Sequence, residues 1–525
     1  MINFFPILLY PEIHYHIWFL YPFYFRKLPE IIADLPYRID LSTKNSIPIL
    51  IIAKDAKKFP ISLDKIRITI QSKQLNIQKK IELNHNLNGK YFSQIIEVDF
   101  PEIDYSQRAE ITIIFHITRQ KDQKEFVFEN DNLPGFHTKF TTYLAKESLP
   151  KFENWFSGDP HFHSNFTDDQ VEFGADINSA VHLAKRMNLD WFFVTDHSYD
   201  LDDCENNYLK NNPEFPKWKK MKNAVKTIQK EEKYPILFGE ELSCGNSKNR
   251  NVHLLLINNE KFIQGSGDSA EKWFRNNPSV SLQNVRKTSE KNSLLISAHT
   301  FENFYNPVQM ILLKRGAWNE NDIVDNRIQY LQILNRKNRQ YISNAKRKWI
   351  KLLLEKHRII ILAGNDAHGH FNVKRAVKIP LLCLFSSNDQ IFGNLRTFFK
   401  SDEKLTAKNF ISEFQKNRIC VTDGPLVNFS INNSEIGSGI KNSEEFEFQI
   451  NAISSEEFGM IKKIIIFSGD FENKQEKLER NLKISDYKFS DKFIIKNENQ
   501  DYFRVEIYTK NGKFCWTNPI WIDKK

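Results

Sequence analysis

The sequence predicts an α/β protein: a β/α barrel at residues 151–400, a β-rich sandwich-like domain before it at 1–150, and a helix plus a smaller sandwich-like domain after it at 401–525. Three observations lead there. In the middle region short apolar runs alternate with helical stretches, the pattern of parallel strands joined by crossover helices. On both flanks short alternating runs are separated by turn residues, the pattern of antiparallel sandwiches. Most metal-ligating residue types in the middle region directly follow an apolar run, and polar residues at the C-terminal ends of barrel strands converge on one mouth, which favours a barrel over a doubly wound sheet.

A chain of 525 residues is too long for one ordinary core, and 41% hydrophobic content with 43 phenylalanines supplies several. The net charge of +9 comes from 74 basic and 65 acidic residues that are scattered rather than clustered. That permits weak attraction to anionic substrates but indicates no dedicated nucleic-acid surface. Five widely spaced cysteines without a Cys-x-x-Cys argue against a disulfide framework or zinc knuckle and make a reducing, cytoplasmic compartment the expectation. Met1 to Phe25 is apolar and aromatic, yet Pro6, Pro11 and Pro22 interrupt it, so a packed extended segment is expected rather than a membrane span or signal peptide.

In the first region Ile47 to Ile52, Ile66 to Ile70, Ile95 to Phe100 and Ile111 to Ile117 read as strands. His14, His16, His85, His116 and His137 have no acidic company and read as structural or surface residues. In the middle region the apolar runs are Trp191 to Val194, Ile236 to Phe238, Val252 to Ile257, Leu294 to Ile296, Ile328 to Leu334 and Ile359 to Leu362. Helices are expected between them at Asp176 to Met187, Lys217 to Lys230, Ser281 to Lys291 and Arg339 to Lys356. After the helix Ala407 to Asn417, strands recur at Asn428 to Asn432, Phe446 to Ala452, Ile461 to Phe467 and Phe503 to Tyr508.

The chemistry starts at His161-Phe162-His163, because residues i and i+2 of a strand point the same way and offer two imidazoles to one point. Asp168 comes next, in a polar turn. His197, Glu241, His299, Asp366 and His368 each close an apolar run, while His253 opens one and would aim inward. Any one of these alone reads more readily as a loop residue or a cap; as a set they read as a metal site. Nine ligands, His161, His163, Asp168, His197, Glu241, His253, His299, Asp366 and His368, exceed what one four- to six-coordinate ion needs. Two or three divalent ions (Zn, Mn or Fe) are implied, with Glu241 available as a bridge. His197, Asp196 and His370 are the candidate catalytic residues, Asp196 either supporting an imidazole N–H or capping a helix. Arg250, Asn372 and Arg375 are the candidate substrate-binding residues, with Lys374 beside them; a solvated loop is the competing reading for Lys374 and Arg375, and Arg250 has similar standing.

Six ordered segments carry a resemblance: Gly158-Asp159-Pro160-His161-Phe162-His163-Ser164, Thr195-Asp196-His197, Gly239-Glu240-Glu241, Val252-His253-Leu254, Ser297-Ala298-His299 and Gly364-Asn365-Asp366-Ala367-His368-Gly369. They resemble the motifs of the PHP (polymerase and histidinol phosphatase) superfamily. The resemblance implies a distorted (β/α)7 barrel, with His161, His163, Glu241 and Asp366 on one metal, Glu241, His253 and His299 on a second, and Asp168, His197 and His368 on a third. Val421-Thr422-Asp423-Gly424-Pro425 and Trp516-Thr517-Asn518-Pro519-Ile520 resemble the carbaryl-hydrolase-like branch. The resemblance also implies a metal-dependent hydrolase acting on a small-molecule ester, with phosphoesters expected first and carboxyl or carbamate esters second. A metal-loaded but inert binding protein and a nuclease stand as the competing readings; the oligomeric state is open.

Overall fold

The computed structural model describes residues 28–524 apart from 133–138, 168–173, 206, 266, 268–275, 303–309, 312 and 379–382. The apolar segment Met1 to Phe25, with His14 and His16, and the residues His137 and Asp168 lie outside the described residues. The protein is mostly β. No helix among the described residues is long and apolar enough to cross a membrane.

The first region is a sandwich. A three-stranded sheet of Glu30–Asp34, Ser46–Lys54 and Tyr91–Asp99 faces a six-stranded sheet built around Gln107–Arg119 and Ile61–Gln71. In Gln107–Arg119 every second side chain is buried, so Ile111, Ile113 and Phe115 meet Ile49, Ile51, Ile66 and Ile68 in one core. The last region is a second sandwich, in which Leu426–Ile431, Glu445–Ile453 and Lys488–Lys496 cover Ile461–Asp470 and Tyr502–Thr509 through Phe429, Phe446, Phe448, Ile464 and Phe503.

Between them runs a long continuous sheet. From Trp155–Phe162 it passes through Trp191–Val194, Ile236–Gly245, Asn251–Ile257, Leu294–Ser297 and Tyr330–Leu334 to Ile360–Ala363. The expected closed barrel is not formed among the described residues. Trp155–Phe162 gives its other edge to the antiparallel strand Arg396–Lys400, and only one bridge, Phe162 to Ala367, links the two ends. Pro160 supplies no N–H where they approach, and the register of that strand slips between Asp159 and Phe162. The strands are also not all parallel, since Asn251–Ile257 runs antiparallel to both neighbours.

Packing under the sheet explains one of the motif residues, Gly158. Trp191 is fully buried and sets its edge against Phe399, Phe410 and Phe414. Gly158 lies so close that a Cβ would come 2.2 Å from the Trp191 ring, so no other residue fits there.

The two C-terminal segments taken as branch features are seams. Val421 pairs with Trp516, which carries the long sheet into the last sandwich. Asn518 accepts from the Ile361 N–H at 2.8 Å and donates to the Ile361 and Ile419 carbonyls. A buried ion network reinforces this junction. Arg504 takes Glu476 in a two-pronged pair and also touches Glu506, while Lys346 of the helix Arg339–Leu354 lies 2.5 Å from Glu506.

Burial alone would raise the Glu506 carboxyl, but Arg504 and Lys346 overcome it and hold the group at about 2. A carboxyl depressed in the folded state contributes stability above its unfolded value of about 4.3, and that contribution is lost as pH falls toward 2. Glu506→Gln is therefore expected to lower stability at pH 7, with the gap to the parent protein closing between about pH 4.3 and 2. Urea titration across that range measures it; a gap that does not change with pH would count against the assignment.

Candidate metal centre

Eight of the nine predicted ligands meet at one place. His161 and His163 end the strand Trp155–Phe162, His197 follows Trp191–Val194, and Glu241 and His253 lie on the paired strands Ile236–Gly245 and Asn251–Ile257. His299 follows Leu294–Ser297, and Asp366 and His368 follow Ile360–Ala363. His299 and Asp366 both hold left-handed backbone, at φ +33° and +51°, a strained conformation for residues other than glycine that concentrates at functional sites.

Glu241 is the hub. Its Oε1 lies 2.7 Å from His253 Nδ1 and 3.1 Å from His299 Nε2, while its Oε2 lies 3.1 Å from His163 Nε2, 3.1 Å from His197 Nδ1 and 3.3 Å from His161 Nε2. Asp366 Oδ1 adds contacts of 3.2, 3.3 and 3.4 Å to His161, His163 and His368. Three groups of ligand atoms result: His161, His163, Glu241 and Asp366; His197, Glu241 and His253; and His163, His197 and His368.

These separations fit divalent cations. Two ligands about 2.1 Å from a tetrahedral ion stand about 3.4 Å apart. Glu241 Oε2 and His197 Nδ1 are buried without a hydrogen-bond partner although they are only 3.1 Å from each other. That separation is one that two ligands of a shared cation would keep. His163 Nε2 and His161 Nε2 likewise stand 3.1 Å apart.

The electrostatics are those of a cluster short of positive charge at its carboxylates and overcrowded at its imidazoles. Burial would raise Glu241 and Asp366, but the surrounding histidines hold both well below the ordinary carboxylate range. Burial would lower His161, but Glu241 and Asp366 push it up to about 9. His197 falls to about 3 through burial and the neighbouring His163. The Asp366, His368 and His299 side chains are the most accessible of the eight, at 13%, 10% and 8%.

Several further residues support the cluster. Asp196 does not touch an imidazole. It accepts from the backbone and hydroxyl of both Ser164 and Thr167, and Thr167 Oγ1 in turn accepts from His163 Nδ1 at 3.2 Å, which turns Nε2 toward the cluster. Asp159 accepts from the His161 and Asn365 backbones, the Asn365 amide and Gly393, so it fastens the first ligand strand to the last ligand loop. Gln332 and Gln390 contact His161 and Asp366 at 2.8 and 2.7 Å. A lone polar residue inside an apolar run was the only sign of Gln332, and nothing in the sequence marked Gln390.

The predicted substrate contacts are elsewhere or differently engaged. Arg250 donates to the Met310 carbonyl at 2.6 Å, and Asn372 is buried, bonding Thr141 and Thr142 of the first sandwich. His370 is buried and belongs to none of the three ligand groups. Arg375 sits on the strand Lys374–Lys378, its side chain outside the described residues. Lys374 reaches the amide oxygen of Gln390, one step from Asp366.

No family model matches the chain, and no curated protein matches it. Among solved structures, a Bacteroides uniformis β-glucuronidase aligns at 9% identity over 94% of this chain and 60% of its own, with a TM-score of 0.20. A glycosyl hydrolase family 2 member from Bacteroides cellulosilyticus DSM 14838 aligns at 9% identity over 95% and 63%, with a TM-score of 0.17. A Parabacteroides merdae β-glucuronidase aligns at 7% identity over 95% and 64%, with a TM-score of 0.19. The chain thus spans about three fifths of the length of these proteins, and TM-scores this low describe no shared fold.

The family expectation is corrected accordingly. The motif resemblance to the PHP superfamily is matched by no family model and no curated protein, and among the described residues the sheet does not close into that family's barrel. Membership is set aside, and with it the phosphoesterase, carboxyl or carbamate esterase and inert binding-protein readings.

Proposed function

We propose that this protein is a metal-dependent hydrolase whose buried histidine and carboxylate centre holds two or more divalent cations. The observation that carries the reading is the division of Glu241 between two histidine sets, one on each carboxylate oxygen, which is the arrangement of a bridging ligand. Divalent cations held by these residues would supply acidification of a water and would offset the charge that develops on a substrate oxygen. The chain's own residues do the rest. Among the described residues two of the ligand groups supply three side chains each, the number that catalytic sites with an open position use. The Asp366, His368 and His299 side admits substrate, while the His161, His163 and Glu241 side is sealed.

Metal analysis of protein purified without chelator, then a panel of chromogenic substrates differing in the bond cut, with and without added Mn or Zn, tests this. The expected result is at least two equivalents of bound metal and hydrolysis that chelator abolishes. Metal-free protein that takes up none on titration would overturn it.

A further inference from the structure

Resting on the metal-centre reading, we propose that Gln332 is a positioning residue that fixes the tautomer and ring orientation of His161 and, through the same oxygen, the backbone of His299. Gln332 lies in the middle of Tyr330–Leu334, a strand whose other residues are apolar, and it is fully buried. A buried amide costs stability unless it is hydrogen-bonded, and here the oxygen has two partners and the nitrogen one.

The orientation of the amide is set by one contact. The His299 backbone N–H donates to Gln332 Oε1 at 3.2 Å, and a backbone N–H only donates, so the oxygen must face it. The Gln332 nitrogen donates the other way, to Asn335 Oδ1 at 3.2 Å. His161 Nδ1 stands 2.8 Å from the same oxygen and so must carry the proton. In the neutral ring, the form that binds a cation, that leaves the lone pair on Nε2, the atom 3.2 Å from Asp366 Oδ1 and 3.3 Å from Glu241 Oε2. One neutral acceptor thereby aligns a ligand on each side of Glu241. Gln390 has the matching relation to Asp366: it donates to Oδ2 and leaves Oδ1 to the cluster.

The test is calorimetric Mn and Zn binding to the full chain in competition with a chelator, for the parent protein, Q332L and Q332E, with metal-free melting temperatures as the folding control. Q332L keeps the bulk but removes the acceptor and is expected to lose about 10- to 100-fold in affinity. Q332E retains an acceptor at the same place and is expected to match or exceed the parent. Parent-like affinity in a folded Q332L overturns the inference. So does a loss of about 10-fold or more in Q332E, which decides the matter alone if Q332L fails to fold. A parent protein that binds no metal overturns the metal-centre reading itself, a result separate from either variant.

Discussion

Glu241→Ala is expected to weaken metal binding by at least about 100-fold at more than one site, the largest effect of any single ligand replacement. The reason is geometric. The Glu241 carboxylate is the one group that reaches both His253 with His299 and His161 with His163 and His197. Removing His368 takes one nitrogen from one ligand group, whereas removing Glu241 takes an oxygen from two. It also removes a buried negative charge that stabilises five imidazoles, so the metal-free variant should be less stable than the metal-free parent as well. Glu241→Gln separates the two effects, since it preserves volume and removes charge. Calorimetric titration with Mn and Zn reads the affinity and the stoichiometry together, and a Glu241→Ala protein that still takes two equivalents at parent affinity would refute the bridging role.

The ligand set was legible because its signal is local. A His-x-His at a strand end and an Asp-x-His after another are spacings that chain geometry converts directly into convergence, and eight of the nine residues meet. Their supports were less legible. Thr167 reaches His163 and Gln332 reaches His161 through side-chain contacts that no periodicity encodes. Arg250 and Asn372 are near the ligands in sequence, but nearness along the chain does not say where a side chain goes: Arg250 bonds the Met310 carbonyl and Asn372 turns to the first sandwich. The two sandwiches were legible from alternation, as in Gln107–Arg119. The closed barrel was not, because apolar runs separated by helices say that strands are neighbours and not whether the first and last exchange hydrogen bonds. At Pro160 they lack the N–H to do so, and Arg396–Lys400 occupies the edge instead.

Metal removal should reveal a pH dependence whose sign is fixed by His161. In the metal-free protein Glu241 and Asp366 hold that imidazole at about 9, so it is protonated at neutral pH. A cation must displace that proton, and affinity should therefore rise about tenfold per pH unit up to about pH 9 and then level off. The stability of the metal-free protein moves the opposite way. A histidine raised above its unfolded value of about 6.5 stabilises the metal-free protein fully below that value and ceases to do so as pH rises through 9. The stabilisation gained on metal binding therefore grows across this interval. With free metal at about 1,000 times its dissociation constant, each site contributes about 4 kcal/mol, so chelation should lower the melting temperature more at pH 8.5 than at pH 6.5. Melting curves with and without chelator at the two pH values measure the difference, and calorimetry in buffers of different ionisation enthalpy counts the protons released. A pH-independent chelator effect with no proton release would show that His161 is not displaced by the ion, and would remove it from the ligand set.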